Sequence, residues 1–171
     1  MHRGVRQGGH TRPLYTVEQR RRRDLSPWTL VQGVLAPIQF LVFAISLALV
    51  LRYLVTGEGL FAASVSVVVK TLVLYTIMVT GAIWEKAVFG RYLFAPAFFW
   101  EDAVSMLVIA LHTAYLVALI ENALSPTEQM LLALAAYATY VINAAQFLVK
   151  FRSARLETSP PAVAADSGVL A

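Results

Sequence analysis

Four stretches almost free of charge constrain this chain more than any other feature. Residues 28–51, 60–84, 103–120 and 129–149 are 24, 25, 18 and 21 residues long, and Lys70 is the single charged side chain among them. A helix of about 20 apolar residues crosses a hydrocarbon core of about 30 Å. One such stretch would suit the buried helix of a soluble domain; four in series would not. The reading is an all-α integral membrane four-helix bundle, with spans at about 28–54, 60–84, 101–120 and 127–150. Its 171 residues hold one domain. Only 14% of them are charged, against about 25% in soluble domains, which argues against a cytosolic enzyme. The chain has no cysteine, so disulfides, cysteine nucleophiles, Cys-ligated zinc and iron–sulfur clusters are excluded together. Of the histidines His2, His10 and His112, only the last lies in a span. A His-rich metal site and a bis-histidine haem are thereby disfavoured.

Local signals punctuate the stretches. Ser26-Pro27 supplies an N-cap and a first-turn proline before the first span. Ser125-Pro126-Thr127-Glu128 repeats this before the fourth with the spacing of a capping box. Thr56-Gly57-Glu58-Gly59 is a turn, and Pro37 falls inside the first span, where a membrane helix tolerates it. No internal repeat is visible, and no apolar signal-peptide core precedes residue 28. The chain divides into a basic N-terminal segment (1–25), the four-span domain (26–155) and a tail (156–171) whose prolines and small residues read as disordered.

Charge sets the orientation. Seven arginines precede the first span, Lys86 and Arg91 lie between the second and third, and Lys150, Arg152 and Arg155 follow the fourth. The two opposite loops offer only Arg52. The positive-inside rule then makes both termini cytoplasmic. Trp28, Trp84 and Trp100 mark the same side, as aromatic belts do. The run Arg20-Arg21-Arg22-Arg23 reads as topology and anionic-lipid contact; no domain follows that would read nucleic acid.

Polar residues inside spans are costly and point to function. At about 1.5 Å per residue, Lys70, His112 and Tyr137 lie about 14–15 Å from the outer face, in one midplane layer. Gln39 and Asn143 lie nearer the cytoplasm, and interhelical hydrogen bonding is the simpler reading for both. Thr139, Asn143, Gln146 and Lys150 share a helix face. Lys70 has no carboxylate at its depth, so it must be neutral, hydrated or paired from outside the chain. At the cytoplasmic rim Glu85 ends the second span, and Glu101 and Asp102 open the third. Glu101, Ser105, Val108, His112 and Tyr115 form one stripe; Glu85, Gly81, Leu74 and Lys70 form another. Acids in a first helical turn are ordinary dipole partners, but three carboxylates around one aromatic-rich loop make an acid–base site.

Several passages resemble the 3-vinyl bacteriochlorophyllide hydratases: Ser26-Pro27-Trp28-Thr29-Leu30-Val31-Gln32-Gly33; Ile83-Trp84-Glu85-Lys86 and, across the loop, Phe98-Phe99-Trp100-Glu101-Asp102; Leu111-His112-Thr113-Ala114-Tyr115; and Ala136-Tyr137-Ala138-Thr139-Tyr140-Val141-Ile142-Asn143-Ala144. The likeness runs from about Leu14 to Arg155 and rests on extent rather than on a short signature. It implies a cofactor-free lyase of a bacterial inner (intracytoplasmic) membrane, active on its cytoplasmic side. The implied reaction adds water to the C3 vinyl group of a chlorophyllide to give 1-hydroxyethyl. The implied partners are that tetrapyrrole and the bilayer, with self-association or contact with neighbouring pathway enzymes left open.

The chemistry matches roles to residues. Hydration needs an acid and a base, for which Glu85, Glu101 and Asp102 are the candidates. A flat ring with magnesium and a propionate asks for aromatic walls, an axial ligand and a cation. His112 suits the magnesium; Lys70 or Arg91 suits the propionate; Tyr115, Tyr137 and Asn143 complete the expected binding set. No metal belonging to the protein is expected. A pigment-holding assembly protein would use the same cleft, and a small four-helix transporter would use Lys70 or His112. A mass gain of one water on incubation with chlorophyllide separates the enzyme from both. The orientation predicts that reporter fusions at Glu58 and Glu121 behave as periplasmic and those at Gly90 and Ala171 as cytoplasmic; a reversal contradicts it.

Overall fold

The computed structural model describes residues 14–156. The tail expected to be disordered (156–171) lies outside the described residues except for Leu156, where the last helix ends. Five helices follow in order: α1 (Val17–Leu25), α2 (Pro27–Thr56), α3 (Leu60–Phe89), α4 (Phe99–Ile120) and α5 (Pro126–Leu156). No strand occurs among the described residues. Helices α2 to α5 are each long and apolar enough to cross a membrane. At 30 residues apiece, α2 and α3 extend about 45 Å, well beyond the hydrocarbon. The helices therefore outrun the apolar stretches: the chain keeps its backbone groups paired through the headgroup zone before it turns.

The distribution of side chains is that of a protein in lipid. Leu30, Phe40, Leu41, Leu72, Leu148 and Val149 are exposed on the outer faces, while Gln39, Ser46, Lys70, Thr71, Ser105, His112 and Asn143 are buried. A surface this apolar is unstable in water and natural in a bilayer. Inside, the helices pair as two antiparallel hairpins, α2 with α3 and α4 with α5, which approach one another more sparingly. Gln32 Nε2 donates to Thr80 Oγ1 at 2.7 Å and Trp84 Nε1 to Thr29 Oγ1 at 3.0 Å within the first hairpin. Between hairpins, the Tyr137 hydroxyl lies 2.6 Å from Ser46 Oγ. Phe43 packs against Tyr137 and Tyr140, with ring centroids 5.4 and 4.9 Å apart.

The turns follow the local signals with one exception. Ser125 and Glu128 form the expected capping box, the Ser125 N–H donating to Glu128 Oε2 at 2.9 Å. Ser26 occupies the N-cap of α2, but its hydroxyl makes no cap bond; the nearby Thr29 hydroxyl instead donates to the Arg23 carbonyl at 2.6 Å. The tight α2–α3 turn needs left-handed backbone at Gly57 (φ 74°) and Gly59 (φ 84°), which glycine adopts without strain. Pro37 sits within α2, which continues through it.

Helix α1 is an addition to the sequence reading, which saw only a basic segment there. Its start was legible: Thr16 and Gln19 form a reciprocal capping box. Tyr15, just before it, is 4% exposed and anchors α1 to the bundle. It stacks on Phe89 at 5.7 Å and meets Phe98 at 6.5 Å, with the Arg23 guanidinium 4.9 Å over its ring. Burial pushes its hydroxyl up to about 12, so it stays neutral. Phe98, fully buried, is the hub of this cluster, touching Trp84, Phe89, Phe147 and Phe151 as well. Phe98→Ala should cost about 3 kcal/mol and release α1. Faster tryptic cleavage at Arg20 to Arg23 with unchanged helix content is the expected readout.

Candidate active site

The loop between α3 and α4 is folded back onto the helix ends by two acids. Asp102, in the first turn of α4, accepts the Phe94 N–H at 2.7 Å. Glu85, near the end of α3, accepts the Ala95 N–H at 3.3 Å. Phe94 has φ 57°, a left-handed conformation costing a non-glycine residue about 1–2 kcal/mol. The bond to Asp102 offsets that cost. By holding consecutive backbone N–H groups of one loop, the two carboxyls are brought side by side. Two like charges so placed repel where little water screens them, which favours a single proton shared by the pair. Both side chains are buried, Glu85 at 5% and Asp102 at 2% exposure. Two neighbouring buried carboxyls are the arrangement that one-proton dyads use to divide acid and base roles.

Glu101, the third expected acid, turns away from this pair. Its Oε2 accepts from Lys150 Nζ of α5 at 2.6 Å, and Lys150 also lies 5.1 Å over the Phe98 ring. Below it the Ser105 hydroxyl donates to the Glu101 carbonyl at 2.8 Å and receives Asn143 Nδ2 at 2.7 Å. These contacts join α4 to α5 at the basic rim. Arg91 is exposed on the loop, apart from the buried groups.

The midplane layer is assembled around Tyr137. Lys70 Nζ lies 5.9 Å and the His112 ring 5.9 Å from the Tyr137 ring centroid. Lys70 rests closest to Tyr140, 3.8 Å over its ring. Lys70 and His112 are both fully buried, and neither Lys70 Nζ nor His112 Nε2 has a hydrogen-bond partner among the described residues. His112 Nδ1 lies 2.8 Å from the Val108 carbonyl. A carbonyl only accepts, so Nδ1 carries the hydrogen, and the neutral ring presents Nε2 as a bare lone pair. Tyr115 is buried on the same stripe, and its hydroxyl also has no hydrogen-bond partner among the described residues. Asn143 spends its amide on Ser105, leaving Oδ1 unpaired. No cluster of three or more metal-ligating side chains occurs among the described residues.

The structure thus brings Glu85 to Asp102 and Lys70 to His112 and Tyr137, and sends Glu101 to Lys150. Sequence reasoning missed Tyr140 beneath Lys70 and the Glu101–Lys150 pair. The second was available in outline, since Lys150 falls on the Asn143 helix face. Nothing in the sequence pointed to Tyr140 over its neighbours.

Comparison with known proteins places the chain in a family. Residues 15–153 match the family described as 2-vinyl bacteriochlorophyllide hydratase. The 2-vinyl bacteriochlorophyllide hydratase of Rhodobacter capsulatus is 65% identical over 157 residues, covering 92% of this chain and 89% of that protein. That of Cereibacter sphaeroides is 71% identical over 147 residues, covering 85% and 91%. No solved structure matches.

The Glu101–Lys150 pair permits a double-mutant cycle. Lys150→Met leaves a mostly buried carboxylate unpaired and should destabilise the protein by about 2 kcal/mol, reduced from the fully buried case because Lys150 is partly exposed. Adding Glu101→Gln should recover most of that loss in detergent-denaturation midpoints, whereas additive losses would mean the two groups do not interact.

Proposed function

The chain belongs to the 2-vinyl bacteriochlorophyllide hydratase family and is a membrane-embedded hydratase of bacteriochlorophyll biosynthesis, and on that premise we propose that the Glu85–Asp102 pair carries out the proton transfers. The substrate is a vinyl-bearing chlorophyllide or bacteriochlorophyllide. The "2-vinyl" of the relatives' names and the C3 vinyl group of the resemblance denote one substituent under two ring-numbering conventions. The membrane is the bacterial inner membrane, with the basic rim and its carboxyl pair on the cytoplasmic side. The 12 basic residues at that rim, against Arg52 alone opposite, support this orientation.

Hydration begins with transfer of a proton to the terminal vinyl carbon, which becomes a methyl group. Positive charge then resides on the inner carbon and spreads into the conjugated ring. Water forms its C–O bond there and surrenders a proton, leaving the 1-hydroxyethyl group. The protonated member of the pair supplies the first proton and the ionised partner takes the second. One proton leaves and one arrives, so the pair ends as it began and no redox group is needed. The observation that carries this reading is that two buried carboxyls hold the consecutive N–H groups of Phe94 and Ala95 on one loop. Glu101, committed to Lys150, fixes the rim beside the pair.

The midplane layer receives the far edge of the substrate. Asp102 and His112 are ten residues apart on α4, or about 15 Å. The magnesium lies at the ring centre and the vinyl group on its margin, about half a ring-width away. A substrate with its vinyl group at the pair therefore places its carboxylate tail, rather than its metal, at the depth of Lys70 and His112. That carboxylate supplies the counter-charge Lys70 lacks. Asn143, bonded to Ser105, lies on the way between; Tyr137 stands beside Lys70 and His112, Tyr115 lies one turn beyond His112, and Arg91 remains outside. The bare Nε2 of His112 favours one alternative, in which it ligates the substrate magnesium and the ring sits deeper. His112→Ala would then change the bound pigment's absorption spectrum, whereas a carboxylate site changes affinity alone.

Glu85→Gln and Asp102→Asn should each lower turnover by about 10²- to 10⁴-fold while pigment binding persists. Near-normal turnover in both variants overturns the assignment.

A further inference from the structure

We infer that the tetrapyrrole reaches its site sideways from the bilayer, between α3 and α4, through a seam latched by Tyr75 and Thr113. This rests on the proposed function for the identity of the occupant. It adds a binding route that the acid–base site alone does not require.

Three observations converge on that seam. First, α3 and α4 approach one another far more sparingly than the helices within either hairpin, and more sparingly than α2 and α5. The α2–α5 junction, by contrast, is filled by Phe43, Tyr137, Tyr140 and the Ser46 bond. Second, Tyr75 and Thr113 join α3 to α4 through one hydroxyl–hydroxyl contact of 2.7 Å on an exposed face. Such a bond is worth about 0.6 kcal/mol in a membrane protein, so it closes the seam without sealing it. Third, the latch residues stand next in sequence to Leu74 and His112, both buried. Leu74 shares its helix face with Lys70, so the unpartnered Lys70 Nζ and His112 Nε2 lie on the inward faces of the two helices that the latch joins. Each buried polar group without a partner costs several kcal/mol in hydrocarbon. A cation and a lone pair set together behind a weak lateral contact form a site for a ligand with an apolar body and a carboxylate end.

The cytoplasmic route is the less open one. Phe98, Trp84, Phe89, Phe147 and Phe151 pack together at the basic rim, and Tyr15 pins α1 against them. A macrocycle arriving there would have to break that cluster, whereas one dissolved in lipid meets only the latch.

The cysteine-free chain makes the test direct. Tyr75→Cys and Thr113→Cys are introduced together, the protein is placed in lipid nanodiscs, and the pair is bridged with a short, reducible bis-thiol reagent. Chlorophyllide a is added, and bound pigment and product are followed separately. Bridging should slow pigment uptake by at least about tenfold, and reduction should restore it. Uptake at the unbridged rate overturns the proposal. Binding that responds to the bridge but yields no product, bridged or reduced, leaves the route standing and refutes the hydratase reading of the pair instead. Should the reduced double variant fail to bind pigment, Thr113→Val alone decides: a severalfold faster uptake supports the latch, and an unchanged rate contradicts it.

Discussion

Two acids buried side by side at the edge of an apolar bundle favour a shared proton, and the loop between α3 and α4 is built on their pairing. Without that proton, Glu85 and Asp102 would repel where little water screens them. With it, their remaining oxygens hold the backbone of Phe94 and Ala95. The loop so folded delivers Phe98 to the centre of the aromatic cluster, and the cluster in turn receives Tyr15 and α1. The two buried carboxyls and the loop they hold thereby link the end of α3, the start of α4 and the N-terminal helix.

The interior poses a second electrostatic problem and solves it differently. Lys70 has no acid near its depth, and the structure sets it against the face of Tyr140. A cation over an aromatic ring gains about 2 kcal/mol when desolvated, which falls short of the cost of burying a charge. On the proposed function, the carboxylate of the substrate makes up that shortfall. His112, with one nitrogen fixed by Val108 and the other bare, stands in the same position with respect to a donor or metal.

Most of the fold was legible because charge-free stretches of membrane length leave few alternatives, and the four long helices lie where those stretches fall. The stripes on α3 and α4 were legible for the same reason: helical periodicity fixes which residues share a face, and Glu101, Ser105, Val108, His112 and Tyr115 are all buried. Pairing across helices was not. Periodicity says that Glu85, Glu101 and Asp102 all reach the rim, but not that Glu101 swings to Lys150 while the other two meet. That choice depends on helix rotation and on the loop's left-handed Phe94, which no local signal encodes. Helix α1 had a readable capping box in Thr16 and Gln19, yet four arginines in a row masked a helix whose stability comes from Tyr15 and Phe98.

The central claim is that Glu85 and Asp102 together hold one proton, and infrared spectroscopy of the protein in lipid tests it most directly. At neutral pH the account predicts a protonated-carboxyl C=O stretch that shifts in deuterated water and is lost from the spectrum or displaced in both Glu85→Gln and Asp102→Asn. Absence of that band from the wild-type protein, or its persistence unchanged in both variants, would show that the pair shares no proton and that the site must be sought elsewhere.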